Sequence, residues 1–142
     1  MYKVKIFSIG KNKKSWLDEA LQSYQARLAG RFDLQWQFLK DLPALKRAVF
    51  KLPSYICLDE RGHSFTSKEF SRFLFREFAQ CKAALHFVIG GAEGLDSELL
   101  QRASHWLSFS KCTFPHQIAR LILIEQIYRA AEIEKNTSYH KE

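Results

Sequence analysis

Residues 107–129 read LSFSKCTFPHQIARLILIEQIYR, and this stretch divides into two parts of different character. Leu107–Gln117 mixes small, polar, aromatic and proline side chains, a composition typical of a loop. The segment that follows, Ile118–Ile133, predicts a helix that is apolar on most of its faces. Four charged residues interrupt it, and the ones embedded among its apolar residues are Arg120, Glu125 and Arg129. We therefore expect this helix to be buried or shared with a partner, and its charges to be paired or used.

A glycine-rich loop upstream is the second unusual stretch, HFVIGGAEGLD at His86–Asp96. It follows an apolar run of strand length that is compatible with burial on both faces. Its glycines allow a close approach of the backbone to a ligand, and a tight strand-to-helix turn is the alternative interpretation. The dinucleotide fingerprint GxGxxG and the P-loop pattern are both absent from the sequence. We predict that this loop and residues 107–129 together form the functional site.

Segments typical of strands and helices alternate five times along the chain. The predicted strands cover residues 3–10, 34–38, 54–62, 85–91 and 107–109, and a helix is predicted after each of them. This alternation predicts one α/β domain over residues 1–142, with a mostly parallel sheet flanked by helices on both faces. Ligands bind beyond the carboxyl ends of such strands, so three loops are candidates for the site. They read CLDERG, VIGGAEG and FSKCTFP, at residues 57–62, 88–94 and 109–115.

Several helix starts carry recognisable capping patterns. Ser15 with Asp18 three residues later predicts a capping pair, and Thr66 with Glu69 predicts a capping box. The fourth helix is predicted to open at Asp96, and the fifth has Pro115 in its first turn.

The composition bounds the class of protein. Hydrophobic residues make up 46% of the 142-residue chain, which excludes disorder as a global description. The three cysteines, Cys57, Cys81 and Cys112, are widely spaced and form no metal-binding pattern with each other or with histidine. We therefore expect a reduced cytoplasmic protein without a metal. The sequence has no apolar run of signal-peptide or membrane-spanning length, so neither secretion nor a membrane location is expected.

Positive charge is concentrated at the start of the chain. The formal net charge is +7, and residues 1–31 contribute seven basic and two acidic residues to it, a net of +5. A one-sided basic surface predicts a polyanionic partner such as RNA. The alternative interpretation is a solvated basic face without a partner.

Single residues in the loops suggest other chemistries. Cys112 is predicted to be a small buried side chain rather than a nucleophile, because no base can be placed for its thiol. A hydrolase triad is not supported, since GxSxG is absent from the sequence. His116 remains open as a polar contact for RNA or a cofactor, and Glu93 as a ligand contact or a solvated turn residue. Arg129 follows Glu125 by four residues, which predicts an ion pair on the helix, with a phosphate or base contact as the alternative.

Several of these motifs together resemble one enzyme family. VIGGAEG, LSFSKCTFPHQIARLILIEQIYRAAEI and the terminal YHKE resemble the RlmH (YbeA) family of SPOUT-class methyltransferases, as do KVKIFSIGK and YICLDERG. The resemblance covers essentially the whole chain. It implies the SPOUT methyltransferase fold, an α/β sheet whose C-terminal segment forms a trefoil knot. Default topology rules exclude knots, so only the resemblance predicts this feature.

The resemblance also implies a function. Members of the family transfer a methyl group from S-adenosylmethionine to N3 of a pseudouridine in 23S rRNA on assembled ribosomes, and they work as homodimers without a metal. The apolar fifth helix is accordingly expected to be a dimer face. Carried over to this sequence, the cofactor-binding residues are Leu58, Gly90, Phe109, Ser110, Lys111, Cys112, Thr113 and Phe114. The catalytic residues are Arg129, Tyr139 and His140, with the tail reaching across the dimer.

Two questions remain open at this stage. Loss of the N3 proton calls for a base, and the candidates are His140 and a water in the site, with Arg129 stabilising negative charge on the ring. The competing function is a non-catalytic RNA- or ribosome-binding protein with the same fold. The chain also departs from the family pattern NxPYH, because Ser138 stands where the family has proline.

Overall fold

The computed structural model describes residues 1–81 and 84–141, so Glu142, the last residue of the YHKE motif, lies outside it. Within the described ranges, strands and helices alternate as the sequence predicts. The strands are β1 (Tyr2–Ile9), β2 (Phe32–Leu39), β3 (Ile56–Ser64), β4 (Leu85–Ile89) and β5 (His105–Ser108). The helices are α1 (Ser15–Leu28), α2 (Leu42–Val49), α3 (Ser67–Gln80), α4 (Ser97–Arg102) and α5 (His116–Glu134).

The strands form one sheet in the order β2-β1-β4-β3-β5, and every neighbouring pair is parallel. The predicted mostly parallel sheet is therefore confirmed. Because parallel strands all point the same way, the loops after β3, β4 and β5 leave the sheet at one edge.

Apolar residues of the strands alternate between the two faces of the sheet. Ile6 belongs to a core that contains buried residues of α1, α3 and α5, whereas its neighbour Phe7 belongs to a second core with α2 and α4. The prediction of helices on both faces is confirmed. Strands buried on both sides read as continuous apolar runs, which explains the composition of Leu85–Ile89.

The last helix, α5, has two different sides. One side is fully buried against the sheet, α1 and α3, and its residues are Leu123, Ile124, Ile127, Ala130 and Ala131. The opposite side stays half-buried and includes Ile118, Ile122 and Arg129. α5 is thus a core element on one side, and its role as a dimer face stays a prediction for the other.

Arg120 is the largest fully buried side chain among the described residues, with 0% of its surface exposed. Its guanidinium lies 4.6 Å from the ring centroid of Phe38 and donates four hydrogen bonds of 2.6 to 2.9 Å to the end of β1 and the loop that follows. The acceptors are the hydroxyl of Ser8, the side-chain oxygen of Asn12 and the carbonyls of Ile9 and Gly10. Burial lowers the pKa of Arg120 to about 10, which still leaves the group charged near neutral pH.

The predicted caps have mixed outcomes. Thr66 and Glu69 form the capping box, and the Asp96 side chain accepts from the backbone N–H of Leu99 at the start of α4. The predicted Ser15–Asp18 pair is wrong, because α1 begins at Ser15 with Lys14 at its N-cap and no capping side chain. Asp18 instead accepts a 2.6 Å hydrogen bond from the side chain of Asn12.

An irregularity in β3 shapes the edge of the sheet where the site is expected. The register of β3 against β5 shifts between Leu58 and His63. Gly62 passes so close to β5 that a Cβ would lie 2.5 Å from the carbonyl carbon of Trp106. Such a bulge turns the intervening residues out of the ladder, and Asp59, Glu60 and Arg61 lean toward the loops after β4 and β5.

None of the helices in the described part of the chain is long and apolar enough to cross a membrane. The trefoil knot stays a prediction.

We expect Arg120→Met to lower the free energy of unfolding by about 2–4 kcal/mol, because the substitution leaves buried oxygens of β1 without donors. Urea denaturation at fixed protein concentration measures the effect. The matched control is Arg47→Met on the exposed side of α2, which should change the same free energy by less than about 0.5 kcal/mol. Equal effects of the two substitutions would contradict a stabilising role for Arg120.

Candidate functional site

A cavity of about 790 Å³ opens at the edge of the sheet where β3, β4 and β5 end. Its walls come from three chain segments, at residues 58–61, at 89–95, and at 107–110 with 112–116, together with Ala119 of α5. These are the loops that the sequence singles out, brought to one place by the parallel sheet. Its volume falls within the range of about 300–1,000 Å³ that is usual for small-molecule sites.

Most of the predicted cofactor-binding residues line this cavity. They are Leu58, Gly90, Phe109, Ser110, Cys112, Thr113 and Phe114. Lys111 belongs to the same loop, but its side chain is exposed and lies outside the lining. The structure therefore brings the predicted set together, and its role in binding a cofactor stays a prediction.

Polar contacts join two of the cavity walls. The Thr113 hydroxyl donates a 2.7 Å hydrogen bond to the Glu60 carboxylate, which links the loop after β5 to the bulged end of β3. Asp59 holds Arg61 through two hydrogen bonds from the guanidinium, of 2.8 and 2.9 Å. The Arg61 side chain lowers the pKa of Asp59, so this carboxylate stays charged.

Cys112 corrects one sequence-based prediction. Its side chain is exposed at the cavity rather than buried, because the backbone N–H of Cys112 bonds to the Ser110 hydroxyl and the loop turns outward there. The buried cysteine is Cys57, and burial raises the pKa of its thiol to about 12. Cys112 is thus an accessible thiol that can report on occupancy of the cavity.

The glycine loop after β4 is a tight turn. The N–H of Gly94 donates a 3.0 Å hydrogen bond to the carbonyl of Gly91, and Gly94 has a φ of +76°. A Cβ on Gly90 would lie 2.8 Å from the carbonyl carbon of Gly94, whereas a Cβ on Gly91 would make an ordinary 3.4 Å contact with Ile9. The loop does form a tight turn, Gly90 is the position where the turn tolerates no side chain, and a ligand contact by this loop stays a prediction.

His116 lies at the start of α5 and faces the cavity. Partial burial lowers its pKa, and the nearby charges of Arg120 and Lys13 lower it further. The imidazole is therefore neutral near neutral pH and can both donate and accept a hydrogen bond.

The predicted catalytic residues meet at the other end of α5. Arg129 lies over the ring of Tyr139 at 4.9 Å, and one of its terminal nitrogens is 3.1 Å from Nδ1 of His140. Its Nε donates a 2.8 Å hydrogen bond to Glu125, which confirms the predicted ion pair and raises the pKa of Arg129. We call Arg129, Tyr139 and His140 the tail cluster.

The tail reaches Arg129 because of a turn at the end of α5. Asn136 has a φ of +58°, and its N–H and that of Thr137 bond back to the carbonyls of Ile133 and Glu132. This is a Schellman cap, in which asparagine serves at the left-handed position. The tail is therefore directed back along the helix without the proline that Ser138 replaces.

Hydrogen bonding constrains the tautomer of His140. A guanidinium carries only donors, so Nδ1 of His140 must accept the hydrogen bond from Arg129. The neutral ring then carries its proton on Nε2. In this arrangement His140 offers a donor to a substrate, and it can take a proton only after its contact with Arg129 breaks.

The cavity and the tail cluster are separated within one chain. Arg129 lies ten residues beyond Ala119, the last residue that lines the cavity, which is about 15 Å along the helix axis. An arginine side chain does not span that distance. The two groups of predicted site residues therefore lie toward opposite ends of α5, and we call them the two predicted half-sites.

Sequence reasoning missed the aromatic support of the tail cluster. Tyr128 packs edge-on against Tyr139 with the ring centroids 4.8 Å apart, and Tyr24 of α1 packs against Tyr128 with the ring centroids 5.8 Å apart. Burial, and then the nearby Tyr24 side chain, raises the pKa of Tyr139 to about 12, so its hydroxyl stays protonated. Because Tyr128 is adjacent to Arg129 in sequence, its place beside the tail cluster could have been predicted. No local pattern in the sequence connects Tyr24 to the tail.

The described residues contain no group of three or more His, Cys, Asp or Glu side chains that could hold a metal ion.

Comparison with known proteins gives full-length matches. A family model described as "Predicted SPOUT methyltransferase" matches residues 2–140. A protein of Protochlamydia amoebophila named ribosomal RNA large subunit methyltransferase H is 47% identical, with 99% of this chain and 100% of that protein covered. Proteins with the same name from Prochlorococcus marinus and Oleidesulfovibrio alaskensis are 44% and 35% identical, and at least 95% of each chain is covered.

Solved structures match the fold at low sequence identity. A probable methylase family protein from Haemophilus influenzae gives a TM-score of 0.61 at 12% identity, covering 98% of this chain and 70% of that one. A probable methyltransferase from Bordetella pertussis gives 0.58 at 10% identity, covering 91% and 96%. The chain therefore belongs to the SPOUT methyltransferase family, in the group of ribosomal RNA large subunit methyltransferase H.

Proposed function

We propose that this chain is an S-adenosylmethionine-dependent rRNA methyltransferase that methylates N3 of a pseudouridine in the 23S rRNA of the assembled ribosome. The observation that carries the proposal is the three-loop cavity at the carboxyl edge of the sheet, in a chain 47% identical over its full length to a protein named as an rRNA methyltransferase. Ribosomes as substrate place the enzyme in the cytoplasm.

The residues of the cavity fit the cofactor. Leu58, Phe109 and Phe114 supply apolar surface for the adenine ring of S-adenosylmethionine. The carboxylate of Glu93 offers a hydrogen-bond acceptor for the ribose hydroxyls or the ammonium group of the cofactor. Gly90 and the loop at residues 109–114 would hold the cofactor mainly through backbone. When bound, S-adenosylmethionine supplies an electrophilic methyl group on a sulfonium.

The tail cluster would prepare the nucleobase. Methylation at N3 releases the N3 proton, and negative charge develops on the ring before the new N–C bond is complete. Arg129 stays positive because Glu125 raises its pKa, so it can stabilise that charge. The proton passes to a water or to His140. The tautomer of His140 favours the water as the proton acceptor, because Nδ1 of His140 already accepts a hydrogen bond from Arg129 and holds that side chain in place.

A homodimer would join the two half-sites. The half-buried side of α5 runs from Ile118 beside the cavity, through Ile122, to Arg129. If two copies pack these sides against each other around a twofold axis, with the helices in opposite directions, Arg129 of one copy lies beside Ile118 of the other. Isologous interfaces bury such apolar strips. The tail cluster of one copy would then complete the cavity of its partner.

Methyl transfer to purified ribosomes from a strain that lacks the modification tests the function. We expect one methyl group per ribosome, located on N3 of a pseudouridine by mass analysis of 23S rRNA fragments. The non-catalytic alternative predicts ribosome binding without heat of binding for S-adenosylmethionine or S-adenosylhomocysteine in calorimetric titration. That result would overturn the proposal.

We expect Gly90→Ala to weaken the binding of S-adenosylmethionine by at least about tenfold, because its Cβ would collide with the backbone of Gly94 and move a wall of the cavity. Gly91→Ala is the matched control, since its Cβ makes only an ordinary contact with Ile9. Calorimetric titration measures both affinities. Alkylation of Cys112 gives a second readout, because bound cofactor should slow it in the native protein and not in Gly90→Ala. Equal affinities of the two variants would exclude this loop from the cofactor site.

We expect His140→Asn to retain single-turnover methylation within about tenfold of the native rate, because its side-chain oxygen can accept from Arg129 in place of Nδ1. His140→Ala removes that acceptor and should lose more. Rates measured between about pH 6 and pH 9 show whether a proton acceptor has been removed. If Asn is as inactive as Ala across this range, His140 is the base and the water is not.

A further inference from the structure

One large apolar side chain is exposed at the start of α1. Trp16 has 52% of its surface accessible and occupies the second position of the helix. The indole of Trp16 packs against no aromatic ring among the described residues. Tyr2 is also exposed, but its ring packs against Phe75 and Phe78. An indole held open to solvent on a helix presents a flat face that can stack.

The loop before Trp16 is strongly basic. Lys11, Lys13 and Lys14 are exposed, and no ion pair joins any of them to another residue in the described part of the chain. Three ammonium groups within six residues of an exposed indole combine the features used to bind single-stranded nucleic acid: cations for phosphates and a ring for a base.

Contacts to α5 fix the position of this loop. Asn12 accepts a 2.7 Å hydrogen bond from Arg120, and the N–H of Lys13 donates a 3.1 Å hydrogen bond to the side chain of Gln117. Asn12 also donates to Asp18 in the first turn of α1, which ties the helix that bears Trp16 to the same anchor. The loop is therefore held beside the first turn of α5.

The same turn of α5 borders the cavity. His116 lines the cavity, and an ideal Cβ on Gly10 would lie 3.9 Å from its Nε2. The charge of Lys13 is close enough to lower the pKa of His116. Lys13 therefore stands near the rim of the cavity, and Lys11, Lys14 and Trp16 lie within three residues of Lys13 along the same segment.

We propose that Trp16 stacks on an unpaired base of the rRNA substrate at the rim of the cavity, while Lys11, Lys13 and Lys14 hold the neighbouring phosphates. The target base must leave its stack to reach the cavity, and a flanking base that is unstacked with it gains a new partner in the indole. This inference rests on the proposed function, because it takes the rRNA as the ligand of that site.

The charge pattern favours RNA over a second copy of the chain as the occupant. Pairing this surface with itself would bring six lysine ammonium groups together on a protein whose net charge is already +7. A polyanion with flat bases relieves that repulsion and covers the indole at the same time.

Two substitutions at one position test the stacking. Trp16→Leu keeps an apolar side chain without a ring and should bind ribosomes about tenfold more weakly, whereas Trp16→Phe keeps a ring and should stay within about threefold of the native affinity. Quenching of indole fluorescence on ribosome binding should be reduced in both variants. Native binding by Trp16→Leu would overturn the proposal. A change of oligomeric state in Trp16→Leu, measured by sedimentation, would also overturn the proposal. Such a change would assign Trp16 to the contact between copies of the chain.

The salt dependence tests the lysines separately. Replacing all three by Gln should reduce the slope of log affinity against log salt by about two to three, while Trp16→Leu should leave that slope unchanged. Lys51→Gln, at an exposed position two residues beyond the end of α2, is the matched control and should leave both the affinity and the slope unchanged. An unchanged slope in the triple variant would contradict the phosphate contacts.

Cofactor titration separates this inference from the proposed function. Suppose that the native protein binds S-adenosylmethionine and methylates ribosomes, and that Trp16→Leu binds ribosomes as tightly as the native protein. In that case only the stacking inference fails. If the native protein neither binds the cofactor nor methylates ribosomes, the proposed function fails and the stacking inference falls with it.

Discussion

The buried guanidinium of Arg120 joins two parts of the chain that are more than one hundred residues apart. It holds the end of β1 and the loop after it against the helix that follows the third cavity loop. A fully buried cation is stable only when its N–H donors find acceptors. For Arg120 these acceptors are carbonyl, amide and hydroxyl oxygens, and no carboxylate among the described residues contacts it directly. This constraint fixes where α5 begins relative to the sheet. The cavity at one end of α5 and the tail cluster at its other end depend on that placement.

The parallel sheet supplies the other requirement of the site. It delivers three loops to one edge, and a bulge in β3 and a tight glycine turn after β4 shape them into walls. All walls of the cavity come from one chain, but the residues expected to act on the nucleobase lie about 15 Å away along α5. The proposed homodimer, with a site shared between its copies, would account for both observations and for a helix that is only half-buried on the side away from its own core.

Much of this arrangement could be predicted from local patterns. The ion pair of Glu125 and Arg129 follows from their spacing of four residues, and the capping box at Thr66 from its motif. The prediction of a Ser15 cap was wrong because the Asp18 carboxylate accepts a hydrogen bond from Asn12 instead, and Asn12 is itself held by Arg120. The exposure of Cys112 depends on how its loop turns, and the contact of Tyr24 with Tyr128 joins residues far apart in sequence. Such long-range contacts leave no periodic signal in the chain.

The central claim is that the cavity of one copy works with the tail cluster of its partner. The most direct test uses two chains, Gly90→Ala and Arg129→Ala, coexpressed with different affinity tags and purified through both tags as a mixed dimer. Each parent homodimer should be nearly inactive in methyl transfer to unmodified ribosomes when S-adenosylmethionine is kept well below the Kd of the Gly90→Ala chain. The mixed dimer has one intact cavity facing one intact tail cluster, and the account predicts about half of the native rate. A mixed dimer as inactive as its parents would contradict the shared site.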